Sequence, residues 1–135
     1  MSYCTKHIIK IIKSEGEATL SDYAKFQECL GKVDDYFPSD NMSFIVRDGY
    51  LIDRNWNYGC GCDWCGFEED MFEVSKLMPD VSIKCAFIGE ETWAYPDDEK
   101  EGDAKFLHYK NGEVIENKPF DKKYLEWFKS IYCKR

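Results

Sequence analysis

Residues 8–12 read Ile-Ile-Lys-Ile-Ile, and the period assigned to them decides the fold. Taken as a strand, the run puts β-branched side chains on both faces, which suits a central strand with cover on each side. Taken as a helix, it places Ile8, Ile11 and Ile12 on one stripe. The run is short and Gly16 ends it, so the strand is the better reading.

Beyond it, Thr19 opens a helix with Asp22 three residues on, close to a capping box. Tyr23, Phe26, Leu30, Val33 and Phe37 form one helical stripe, and Pro38 stops it. Phe44-Ile45-Val46 and Tyr50-Leu51-Ile52 flank Arg47-Asp48-Gly49, a hairpin signal. Phe67, Met71, Val74 and Met78 make a second stripe, with Glu68, Glu69 and Asp70 in the first turn, where the helix dipole favours acids. Val81, Ile83, Cys85 and Phe87 alternate with Ser82, Lys84 and Ala86 as a strand does. Residues 96–103 compose an acidic loop. Asn111-Gly112 is a hairpin turn that sets Lys110 opposite Glu113. Pro119 and Asp121 introduce a last helix, with Tyr124, Leu125, Phe128, Ile131 and Tyr132 inward.

The order strand, helix, strand, strand, helix, strand is the ferredoxin-like βαββαβ pattern of the α+β class. It predicts a largely antiparallel sheet with both helices on one face, plus an added β-hairpin and a C-terminal helix. The length of 135 residues fits a single domain over 1–135.

The net charge of −8 is uneven. Residues 63–103 hold 13 acids and 3 bases, net −10, whereas residues 104–135 hold 4 acids and 8 bases, net +4. No basic stripe is evident to neutralise phosphates, which argues against direct nucleic-acid binding. The seven cysteines follow no secretory signal, and no stretch reaches membrane-spanning length. Reduced thiols in the cytoplasm are the natural reading.

The stretch Leu77-Met78-Pro79-Asp80 leading into Val81-Ser82-Ile83, the strand from Phe106 to Tyr109, and Asn111-Gly112 resemble a ferredoxin-like family of small phage- and plasmid-encoded proteins. The resemblance covers about residues 50–117. It implies a mobile-element origin, and small acidic proteins of that origin often inhibit a host defence nuclease by binding it. Toxin-immunity proteins are similar in size and charge. The resemblance supplies no catalytic residues.

Cys60, Cys62 and Cys65 offer three soft ligands at C-x-C-x-x-C spacing. A structural zinc site needs a fourth, for which Cys29, Cys85, His7 and His108 are the candidates. Cysteines that merely pack are the simpler expectation, so no cofactor is required. A redox role for Cys62 and Cys65 is opposed by the acids that follow them. Motifs for acid–base or nucleophilic chemistry are missing, and we expect no enzyme. Aromatics accompany the acids: Trp56, Tyr58 and Trp64 bracket the cysteines, and Trp93 and Tyr95 precede the acidic loop. With Asp97, Asp98, Glu99, Glu101 and Asp103, they form the expected docking surface for a basic protein, such as a nuclease or another nucleic-acid-binding protein.

Overall fold

The computed structural model describes residues 5–33, 42–55, 66–97, 102–119 and 121–133. Residues 8–12 lie within strand β1 (Thr5–Ile12), as the β-branched run predicts. The chain continues through α1 (Leu20–Val33), β2 (Met42–Arg47), β3 (Tyr50–Asn55), α2 (Phe67–Leu77) and β4 (Ser82–Gly89). A short helix α3 (Glu90–Ala94), β5 (Ala104–Lys110), β6 (Glu113–Pro119) and α4 (Lys123–Tyr132) complete it.

The fold is α+β, with one six-stranded sheet in the order β2-β3-β1-β4-β5-β6. Every neighbouring pair is antiparallel. The crossovers β1-α1-β2 and β3-α2-β4 each skip one strand, which leaves β1 in the interior. Both hairpins are two-residue turns at positive φ: Asp48 (52°) and Gly49 (81°), then Asn111 (45°) and Gly112 (75°). Such turns match the twist of the strands they join. The second hairpin extends the sheet beyond β4 and pairs Lys110 with Glu113. Pro119, expected to introduce the last helix, instead ends β6 opposite Lys105.

Alternation along β1 feeds two cores. Ile9 and Ile11 pack with Leu51, Ile83 and Leu107 under α1 and α2. Ile8 packs with Ile52, Ala86 and Ile88 on the opposite face, under Leu125, Phe128 and Ile131 of α4. The first two helices therefore share one face, and the C-terminal helix covers part of the other. Ile8, Ile9 and Ile11 are each 1% exposed, and burying such a side chain is worth about 1.5–3 kcal/mol.

Polar groups tie these layers together. The capping box forms: Thr19 N–H donates to Asp22 Oδ2 (2.7 Å), and Asp22 N–H to Thr19 Oγ1 (3.2 Å). That backbone hydrogen bond, aided by Lys13, holds the Asp22 carboxyl below its ordinary pKa. Tyr23 on α1 donates its hydroxyl to Gly49 O (2.5 Å) and accepts from Ile11 N–H (3.2 Å), so one ring clamps β1 and the β2–β3 turn. Asp53, wholly buried, accepts from His7 N–H at Oδ1 (2.7 Å) and lies 3.1 Å from His7 Nδ1 at Oδ2. Its carbonyl accepts from the Tyr132 hydroxyl (3.1 Å), which ties β1 and β3 to α4. Replacing Asp53 by Ala removes the carboxylate that accepts from the buried His7 N–H, and a loss of about 3 kcal/mol of stability is expected from urea unfolding.

Candidate functional site

The face of the sheet that α4 covers only in part carries a groove. Strand register builds its floor as two cross-strand rows. The first row runs Lys10, Lys84, His108, Glu116 across β1, β4, β5 and β6. The second runs Ile8, Ala86, Phe106, Lys118 across the same strands. Tyr124 and Trp127 of α4 and Tyr50 of β3 complete the walls of this half-open groove, whose volume is about 210 Å³.

The walls are aromatic because α4 lays its first turns over β5. Phe106 lies 4.7 Å from the Tyr124 ring and 6.0 Å from Trp127, which meets Tyr50 edge-on at 5.9 Å. The floor is cationic. Lys10 Nζ stands 5.0 Å over the Tyr50 ring, and Lys118 pairs with Glu116 at 2.8 Å. Neither Lys10 nor Lys84 has a carboxylate partner among the described residues. Two like charges directly opposite across a strand pair repel each other.

His108 sits beside them, with Nδ1 3.8 Å from Glu116 and Nε2 buried without a hydrogen-bond partner among the described residues. Burial, then the Lys84 charge, hold its imidazole below the ordinary histidine pKa, against the pull of Glu116. In turn, the hydrogen bond from Lys118 lowers the Glu116 carboxyl.

The expected docking residues separate into distinct surroundings. Trp56, Tyr58, Trp64, Asp98, Glu99 and Glu101 lie outside the described residues, as do Cys60, Cys62 and Cys65. Trp93 packs 6.0 Å from both Phe128 and Tyr132, with Lys6 and Lys129 over its ring. Asp103 serves the fold: its Oδ2 accepts from Thr92 N–H (3.1 Å) and Oγ1 (2.5 Å) at the start of α3. A Cβ at Gly89 would collide with that carboxylate, so any larger residue there would displace it from Thr92. Tyr95 is 66% exposed, and Asp97 is exposed and pairs with Lys122. Other acids of the region are also engaged: Glu68 with Lys105 (3.2 Å) and Glu73 with Lys76 (3.2 Å).

Of the candidate fourth ligands, Cys29 and Cys85 are buried, and burial pushes the Cys85 thiol far up, with Glu68 adding to the shift. Such a thiol stays protonated and is neither a nucleophile nor a ready ligand. Among the described residues, no group of three or more His, Cys, Asp or Glu side chains could hold a metal ion. No helix there is long and apolar enough to cross a membrane.

The groove escaped sequence reasoning, although one signal was present. Tyr124, Trp127, Phe128 and Ile131 follow helical spacing, which puts Trp127 at the edge of the inward stripe. Comparison with protein-family models, curated proteins and solved structures finds no significant match.

His108 provides a direct check of the electrostatics. Its titration midpoint, followed by NMR of the ring protons, should lie below about 6.5 and rise in a Lys84→Ala variant. A depressed folded-state value also means that its contribution to stability is present above pH of about 6.5 and is lost as pH falls through the folded midpoint.

Proposed function

We propose that this chain is a non-catalytic, cytoplasmic protein-binding module of ferredoxin-like type that blocks a basic partner stoichiometrically. The strand order β2-β3-β1-β4, with a helix bridging each pair of parallel strands, supports the ferredoxin-like reading. The observation that carries the function is the group of exposed residues Glu90, Glu91, Tyr95 and Asp97. Glu90 and Glu91 face solvent, Tyr95 projects with two-thirds of its surface free, and Asp97 follows. An exposed aromatic with carboxylates close by in the chain suits a cationic protein surface, because the charges steer the encounter and the ring holds the complex. A partner that ordinarily handles nucleic acid offers such a surface. The mobile-element resemblance makes a host defence nuclease the most concrete version, with an immunity role against a toxin close behind. Fold does not choose between these.

Affinity capture from the host on immobilised chain, followed by kinetics with the purified partner, tests the reading. Neutralising Asp97, Asp98 and Glu99 together should slow association severalfold, and more so at low salt, while Tyr95→Ala should speed dissociation. An association rate untouched by the charge change would exclude this mechanism.

A second reading is favoured by one contact. The Phe67 ring lies 4.5 Å from the His7 ring, and Phe67 follows Cys65 by two residues in the chain. Asp53 beside His7 Nδ1 is the kind of carboxylate that orients a zinc-binding imidazole. On this reading, Cys60, Cys62, Cys65 and His7 hold a structural zinc ion. Elemental analysis of protein purified without added metal should give one zinc per chain, and less in a Cys62→Ser variant. Metal-free, fully folded wild type would dismiss it.

A further inference from the structure

The groove between α4 and the sheet binds a small planar anion, we infer from its lining. This is independent of the acidic docking residues, which belong to α3 and to Tyr95 and Asp97 after it. Three features converge. Lys10 and Lys84 are register partners on adjacent strands, and neither makes a salt bridge among the described residues, although the Lys84 charge reaches Glu116. An anion between them would relieve their repulsion. In the same row, His108 Nε2 is a buried polar atom without a hydrogen-bond partner among the described residues, and an anion beside the ring would favour the imidazolium, whose Nε2–H then donates to it. Finally, Tyr50, Phe106, Tyr124 and Trp127 present ring faces and edges to one cavity, which suits a flat ring.

Size and charge choose the occupant. A volume of about 210 Å³ has room for one ring and its anionic group. The lining counts Lys10, Lys84 and Lys118 against Glu116, an excess of positive charge. The whole chain, however, is net −8, which repels a polyanion. The site therefore favours a free ring-bearing monoanion or dianion over an oligonucleotide. Its anionic group, carboxylate or phosphate, would lie between Lys10, Lys84 and His108, with its ring against Phe106 and Trp127.

Calorimetric titration with uridine monophosphate and with benzoate distinguishes the phosphate from the carboxylate. Uridine, inorganic phosphate and an eight-residue thymidine oligonucleotide serve as comparisons. At least one of the two ring-bearing anions should saturate the full-length chain. Uridine and phosphate should bind at least about tenfold more weakly than the better of them. Amide shifts should concentrate at Lys84, His108 and Trp127. The Lys10→Ala/Lys84→Ala double variant should lose at least about tenfold in affinity. Both lysines reach solvent, and an unchanged circular dichroism spectrum would establish that the variant folds. No saturation by either ring-bearing anion would overturn the proposal. So would affinity indifferent to the double variant, or tighter binding of the oligonucleotide.

Discussion

The structure depends on β1 being apolar on both sides. A strand with Ile8 facing one way and Ile9 and Ile11 the other cannot rest on a single layer. It demands neighbours on both edges and cover on both faces. β3 and β4 satisfy the edges, α1 and α2 cover one face, and α4 covers part of the other. The groove is a product of the same demand. α4 buries Ile8 and Ile88, while its Tyr124 and Trp127 wall the groove in which Lys10, Lys84 and His108 lie.

Buried polar contacts then select one arrangement among the many that could bury those isoleucines. The carboxylate of Asp53 engages β1, and its carbonyl engages α4. Tyr23 holds the β2–β3 turn against the end of β1, and burial raises the pKa of its hydroxyl, which keeps it a donor. Ser75 on α2 accepts from Gly112 N–H at 2.9 Å, fastening the tip of the second hairpin. Apolar burial supplies most of the driving force, while these directional bonds specify which faces meet.

Local signals in the sequence carried most of the architecture. The capping pair Thr19 and Asp22, the turns at Asp48-Gly49 and Asn111-Gly112, and the two helical stripes each act over a few residues, so they can be read without tertiary context. One element and the role of one residue escaped. Helix α3 has five residues, too few to display a period, and it draws on Asp103, eleven positions from Thr92. Pro119 looked like a helix opener but closes an edge strand, a position where its missing N–H costs nothing. The candidate site was less legible. Its rows assemble residues from four strands, and Lys84 or His108 reads as an ordinary strand residue until register sets them side by side. Asp103 and Trp93 looked like surface groups because composition cannot tell a carboxylate that caps a helix from one that meets a partner.

The outer rim at β6 has its own consequence. Glu113, Lys118 and Pro119 are exposed along that strand, and Val114 and Ile115 are only about half covered. Charges and a residue lacking a donor make a poor template for another chain, so growth of the sheet ends at this margin. A rim of this kind guards the β6 margin against pairing with a strand of a second copy.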